Sequence, residues 1–387
     1  MNKKELELYI HIPFCVRKCS YCDFLSAPAT EQTREAYMAA LFAEIGGRAK
    51  DYSDRTVTSI FIGGGTPSLL SGEQIGQLMD CIREQFAMAQ DAEITMEVNP
   101  GTASAEKLRN FYTAGINRLS IGMQSAQAEE LKNLGRIHDF EGFCQVYREA
   151  VEAGFTNINV DIMSGLPGQT LASYRDTLEK VLHLEPMPQH ISAYSLIVEE
   201  GTPFAAMAER GELPLPEEET ERAMYEETIE VLAKYGFHRY EISNYARDGY
   251  ECRHNVGYWI RRDYLGFGIG AASLIDNVRF QNEKSLGAYL AHPLESREEE
   301  QTLTVQDRME ETMFLGLRLT RGVSCVDFAE QYGRTVEEVY GEVIARNVED
   351  GLLTVTERKE NQKKDRFLAL TKRGLDLSNY VMAQFLF

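Results

Sequence analysis

Short apolar-rich runs bounded by turn signals recur near residues 7–13, 57–63, 93–98, 117–123, 157–163 and 190–197, most of them with polar residues at every second position, and they predict six β-strands. Between them lie stretches with the apolar spacing of amphipathic helices, at 33–48, 72–88, 105–113, 140–152 and 171–184. Two segments echo one another, Ala114-Gly-Ile-Asn-Arg-Leu-Ser-Ile121 and Ala153-Gly-Phe-Thr-Asn-Ile-Asn-Val160, each reading as helix end, glycine, strand; Lys234-Tyr-Gly-Phe-His-Arg-Tyr-Glu-Ile242 offers a third copy. Strands alternating with helices predict an α/β fold of parallel units with right-handed crossovers. Eight such units close a barrel in about 250 residues, so six should need roughly 190. The segment from Glu7 to Phe204 holds 198 residues, which fits a partial (β/α)6 barrel.

The same alternation sorts the strand faces. Ile94, Met96 and Val98 share one side of the third strand, and Thr95, Glu97 and Asn99 the other; the fifth sets Ile158, Val160 and Ile162 against Asn157, Asn159 and Asp161. Ser120, Gly122 and Gln124, then Ser192 and Tyr194, then Tyr9 and His11, continue the polar set. Closed barrels fill their interior with branched apolar side chains, so a polar inner face predicts a ligand there, toward the C-terminal strand ends.

From residue 306 the pattern becomes three helices (308–317, 323–332, 335–348), a strand pair (352–355 and 367–370) and a terminal helix running to Phe387, with the charged stretch 357–366 as an exposed hairpin tip. This predicts a mainly α C-terminal domain with a small β-hairpin, winged-helix-like. The expected organisation is a barrel over 1–235, a connecting region over 236–305, and the C-terminal domain over 306–387.

A net charge of -20 would repel a phosphate backbone, so no nucleic-acid partner is expected. No apolar leader and no apolar run long enough to span a bilayer stands out. Seven cysteines, an odd number, fit a reducing cytoplasm better than a disulfide framework.

Three of those cysteines, Cys15, Cys19 and Cys22, form a C-x3-C-x2-C run just after the first strand; scattered at random, they would fall so in roughly two of a thousand such chains. Buried free thiols are the ordinary reading of cysteine, but they scatter rather than cluster. Structural zinc asks for four ligands, and no second cysteine pair is present. A four-iron, four-sulfur cubane held by three thiolates keeps one iron open to another chelator.

The segment Tyr9-Ile-His-Ile-Pro-Phe-Cys15-Val-Arg-Lys-Cys19-Ser-Tyr-Cys22-Asp-Phe resembles the radical S-adenosylmethionine (SAM) superfamily, and its flanks resemble the group holding oxygen-independent coproporphyrinogen III oxidases and HemW-type haem chaperones. The resemblance implies a TIM-like partial barrel of the radical SAM type. It implies a [4Fe-4S] cluster on Cys15, Cys19 and Cys22, SAM chelating the open iron, an electron donor, and reductive cleavage of SAM to a deoxyadenosyl radical. It further implies cofactor contacts from Gly64, Gly65 and Thr66 in Phe61-Ile-Gly63-Gly-Gly65-Thr-Pro-Ser68, and from Glu97, Gln124, Arg136 and Asp161, with Tyr9 and Tyr21 as aromatic neighbours. Three successive glycines would in any case let backbone approach a ligand closely. Gly266-Phe-Gly268-Ile-Gly270-Ala271 formally fits a dinucleotide fingerprint, but the strand, helix and acidic context of that motif are missing, so a lining loop or bulged strand is expected.

Cys252-Arg-His254-Asn-Val-Gly-Tyr258-Trp259 resembles the HNxxYW motif of the HemW-type group and makes His254, Asn255, Tyr258 and Trp259 haem candidates, His254 as axial ligand. The oxidases of the group carry a further cysteine where this chain has Phe24, and a long N-terminal arm where eight residues precede Tyr9. The expected function is therefore a haem chaperone, with haem as cargo and a haem-acceptor protein, a membrane-associated one included, as partner. A porphyrin-modifying radical SAM oxidoreductase and a structural metal protein docking a partner are the alternatives.

Overall fold

The computed structural model describes residues 4–360 and 363–386. Its frame is a run of parallel strands in sequence order: β1 (Lys4–Ile12), β2 (Arg55–Gly64), β3 (Ala87–Val98), β4 (Arg118–Gln124), β5 (Ile158–Ser164) and β6 (His190–Ser195). Helices cover the outer face: α1 (Glu31–Arg48), α2 (Gly72–Gln85), α3 (Ala105–Thr113), α4 (Ala128–Leu134), α5 (Phe140–Ala153), α6 (Leu171–Leu182) and, after the short α7 (Pro203–Glu209), whose Phe204 amide donates to the Ser20 carbonyl in the loop after β1, α8 (Glu218–Lys234). The expected partial barrel is present.

Local chemistry starts and stops these elements where they are needed. Thr30 caps α1 through the Thr33 amide, and Ser71 with Gln74 and Thr170 with Ser173 form capping boxes on α2 and α6. Gly135 and Gly154 end α4 and α5 in left-handed conformation. Leu8, Ile10 and Ile12 of β1, Ile60 and Ile62 of β2, and Val160 and Ile162 of β5 are fully buried beneath the helices, each contributing about 1.5–3 kcal/mol of burial. The polar residues that alternate with them are thereby turned inward. α2 ends three residues earlier than its pattern predicts, and β3 starts at Ala87 because Ala87 and Met88 already pair with Thr56 and Val57.

Residues 236–305, expected to connect two domains, instead extend the sheet at both edges. On one edge, β7 (His238–Arg239) pairs with β8 (Asn244–Ala246), and β8 runs antiparallel to β6. The third sequence echo thus ends in a two-residue edge strand, not a barrel unit. After α9 (Arg253–Trp259), β9 (Tyr264–Phe267) adds to β1 in parallel, and β10 (Ala272–Ile275), β11 (Val278–Asn282) and β12 (Arg297–Thr302) follow antiparallel, with α10 (Leu286–Ala291) between the last two. Gly266 lies in β9, and Gly268 and Gly270 take positive φ in the turn to β10, so the glycine run is strand and turn.

The C-terminal part packs α11 (Val305–Gly316), the short strand β13 (Val323–Ser324), α12 (Cys325–Tyr332), α13 (Val336–Glu349), β14 (Leu353–Glu360), β15 (Lys363–Leu370), α14 (Lys372–Asp376) and α15 (Ser378–Ala383) around its own apolar core, which includes Met313, Leu317, Phe328, Leu368 and Phe385. Its sheet has the order β13-β15-β14, a winged-helix-like arrangement. The charged segment expected as a hairpin tip is mostly ladder: Glu357 faces Arg366 and Arg358 faces Asp365, cross-strand pairs of opposite charge. Residues 361–362 of that tip, and Phe387 at the end of the expected terminal helix, lie outside the described residues.

Candidate functional site

The C-terminal edge of the barrel opens on a cavity of about 410 Å³. Its wall contains the three cysteines together with Gly64, Gly65, Thr66, Glu97, Gln124, Arg136, Asp161 and Tyr21. Of the expected SAM contacts only Tyr9 lies elsewhere. It lines a neighbouring cavity of about 550 Å³ that shares Phe24, Gly64 and Glu97 with the first.

The cysteine loop is held by backbone bonds at both ends. The Cys15 amide donates to Ala27 and the Ala27 amide to Pro13, while the amides of Gly65 and Thr66 donate to Ile12 and Phe14 at 2.8 and 2.7 Å. In its middle, the Ser20 amide donates to the Leu134 carbonyl at 3.0 Å and the Arg17 guanidinium to the Gly135 carbonyl at 2.6 Å, so the loop sits on the C-terminal end of α4. All three cysteines are half-buried free thiols. They do not converge as ligands of one ion: among the described residues, no three His, Cys, Asp or Glu side chains have that spacing. They stand near enough for Cys19 and Cys15 to raise the Cys22 thiol pKa, in addition to the larger effect of burial. Thiols so placed become thiolates against a bound cation.

Glycine is required where β2 meets this loop. Gly64 has φ +105°, and a Cβ there would stand 2.4 Å from the His11 ring; one on Gly65 would stand 2.7 Å from the Phe14 carbonyl oxygen. The Gly64 amide donates to Glu97 at 3.0 Å. Burial pushes the Glu97 carboxyl up to about 8, the charge of Asp161 adds to this, and the Gly64 amide opposes it. Such an acid ionises readily when a cationic ligand enters.

Asp161 is the end of a buried polar ladder. Asn159 donates to it at 2.7 Å and Ser120 at 3.2 Å; His190 is hydrogen-bonded to Asn159 at 2.6 Å and to Tyr240 at 2.9 Å. Burial raises the Asp161 pKa, and the hydrogen bonds from Asn159, Ser192 and Ser120 work against it. Arg136 donates to the Gly122 carbonyl at 2.7 Å and reaches the Cys19 sulfur at 3.8 Å, while its buried Nε has no protein partner. Gly122 leaves room for it, since a Cβ there would lie 3.1 Å from the guanidinium. Gln124 holds φ 69° at an irregularity in the β4–β5 pairing, which turns its side chain into the cavity wall.

The donor set therefore fits the expected cofactors. Three thiols from one pinned loop suit an iron–sulfur cluster. Beside them lie a glycine cradle without Cβ atoms, a carboxyl that could take an ammonium group, and a guanidinium with a spare N–H.

The HNxxYW stretch stands between the two cavities, Asn255 on the first and Tyr258 and Trp259 on the second. His254 is 1% exposed, with Nδ1 bonded to Ser59 at 2.9 Å and Nε2 to Tyr258 at 3.0 Å. Burial, and then the charge of Arg118, lower its pKa to about 3. In this arrangement neither ring nitrogen is free to bind iron, contrary to the axial role expected of it.

Arg118, Asn159, Ser192 and Tyr194 also line the first cavity, beyond the cofactor contacts that the sequence motifs mark; inward position on β4–β6 is the signal that points to them. Arg261, Tyr264, Arg279 and Leu315 of the second cavity come from distant segments, and no local motif marks them.

A barrel of six parallel strands with a three-cysteine loop on its C-terminal edge defines the radical SAM class, and residues 9–181 match the radical SAM superfamily while 303–377 match the HemN C-terminal domain. The chain is 39% identical over 385 residues to the haem chaperone HemW of Bacillus subtilis, covering 98% of both. It is 42% identical over 269 residues to that of Escherichia coli, 69% of each. The solved structure of Escherichia coli coproporphyrinogen III oxidase, HemN, a radical SAM enzyme, superposes with a TM-score of 0.84 at 28% identity, over 99% of this chain and 90% of that one. The chain belongs to the radical SAM superfamily and, within it, to the HemW family of haem chaperones.

Proposed function

We propose that this protein is a haem chaperone that binds a [4Fe-4S] cluster through Cys15, Cys19 and Cys22, holds SAM at the open iron, and passes haem to an acceptor protein. The observation that carries this reading is the pinned three-thiol loop opening on the glycine cradle and Glu97, in a chain whose full-length relatives are HemW proteins. A bound cluster of this kind would supply an electron to a SAM molecule on its open iron. The chain's own residues do the rest: Gly64 and Gly65 let backbone approach the ligand, Glu97 accepts an ammonium or other cation, and Asp161, oriented by Asn159 and Ser120, offers an aligned acceptor. The Arg136 Nε–H is left to meet a carboxylate.

The test is an anaerobic haem titration of the reconstituted protein, paired with a coproporphyrinogen assay containing SAM and a reductant. One haem taken up per chain, with no decarboxylation, is expected. Decarboxylation would transfer the chain to the oxidase reading.

A further inference from the structure

The second cavity carries a charge arrangement that the first does not use. Glu311, on α11 of the C-terminal part, is 5% exposed and accepts from two guanidinium groups: Arg261 Nε at 2.8 Å and Arg279 Nη2 at 2.8 Å. One carboxylate thus serves two cations, leaving positive charge at the wall. The Arg261 side chain is 3% exposed, yet its Nη2 has no protein partner, and the buried Nε1 of Trp259 has none either. Both residues line the cavity. Buried donors left without acceptors are costly unless a ligand or ordered water meets them.

On the barrel side Tyr9, His11 and Glu97 bring polar groups to the wall, and the rest is largely apolar. Tyr258, Trp259, Tyr264 and Phe24 present rings, and Leu274 and Leu315 fill between them. About 550 Å³ lies well within the range of sites for organic ligands. Aromatic rings and a pair of guanidiniums that share one carboxylate, lining one cavity, match a planar aromatic molecule bearing carboxylates.

We propose that this cavity is a carboxylate-exchange site for a porphyrin, in which a carboxylate of the ligand replaces Glu311 on Arg261 and Arg279. The assignment rests on the haem-carrying reading and gives it a location that does not depend on His254. Because Glu311 belongs to α11 while Arg261 precedes β9 and Arg279 lies on β11, the exchange removes a link between the C-terminal part and the barrel sheet as the cargo enters. The Arg318 guanidinium packs over the Trp259 ring, 4.3 Å from its centre, and holds that ring in place at the wall.

The full chain is titrated with haem, with metal-free protoporphyrin IX and with protoporphyrin IX dimethyl ester, following the fluorescence of Trp259, the one tryptophan in the sequence. The two diacids are expected to bind with similar affinity and the diester at least tenfold more weakly. Glu311→Gln should tighten both diacids severalfold and leave the diester unchanged. Arg279→Gln, at a side chain 40% exposed and so tolerant of change, should weaken the diacids at least fivefold. Equal affinity for diacid and diester, or haem binding untouched by both variants, would overturn the site while leaving haem carriage intact. Failure of every porphyrin to bind would remove haem carriage and the site together.

Discussion

The backbone amide of Gly64 and the carboxylate of Glu97 are joined by a 3.0 Å hydrogen bond that ties the end of β2 to β3 across the cavity wall. The bond exists because Gly64 takes φ +105°, and a methyl group there would press to 2.4 Å against His11. Gly64→Ala is expected to cost about 1–3 kcal/mol of stability and to reduce SAM binding by the reconstituted protein at least tenfold. Gly76 of α2, where an added methyl group would meet nothing within 4 Å, is the control: Gly76→Ala should be neutral or stabilise by about 0.4–1 kcal/mol. Urea denaturation and equilibrium dialysis measure both.

Glu97 also makes the cluster-free protein sensitive to pH. Its folded-state pKa is about 8 against an ordinary 4.5. Between those values the unfolded chain releases a proton that the folded protein keeps, so stability is fully present below about 4.5 and falls as pH rises through 8. Glu7, fully buried and also raised to about 8 chiefly by burial, acts in the same direction. Each group's loss is on the order of a few kcal/mol. Urea midpoints measured across this window should decline with pH, and Glu97→Gln or Glu7→Gln should each flatten the decline.

The barrel and half the site were legible in the sequence because alternation writes burial directly into residue order. Leu8, Ile10 and Ile12 against Tyr9 and His11 mark both faces of β1, and Glu97 and Asp161 fall inward by the same count. The sheet edges were not legible. β12 reads Arg-Glu-Glu-Glu-Gln-Thr, exposed at all six positions, and so carries no burial signal. β9 is four residues long and contains a glycine. His254 misled for a different reason: the motif suggested a ligand, whereas Ser59 of β2 and Tyr258 of its own helix occupy its two nitrogens. Side-chain pairing of that kind exists only after folding. The same holds for Glu311, whose two arginine partners lie on separate segments well before it in the chain.

Thr66 donates its hydroxyl to the Cys15 sulfur at 3.5 Å. Hydrogen bonds to a cluster's sulfurs raise its reduction potential by stabilising the added electron. Thr66→Val should therefore retain iron but shift the potential of the cluster to more negative values, by tens of millivolts in order of magnitude. An EPR-monitored redox titration of both proteins reads the shift.

Replacing His254 should act on folding more than on haem. His254→Ala leaves Ser59 and Tyr258 without their buried partner and is expected to cost about 2–4 kcal/mol. The absorption and EPR signatures of haem iron, in the fraction that stays folded, should match those of the unaltered protein. Loss of an imidazole signature in the variant would restore His254 as the axial ligand.

The most direct test of the central claim is anaerobic reconstitution followed by iron and sulfide analysis and EPR of the reduced protein with and without SAM. About four irons and four sulfides per chain, a signal altered by SAM, and loss of the cluster in Cys22→Ala are expected. A site that takes one zinc and no iron, or a cluster whose signal SAM leaves unchanged, would contradict the claim.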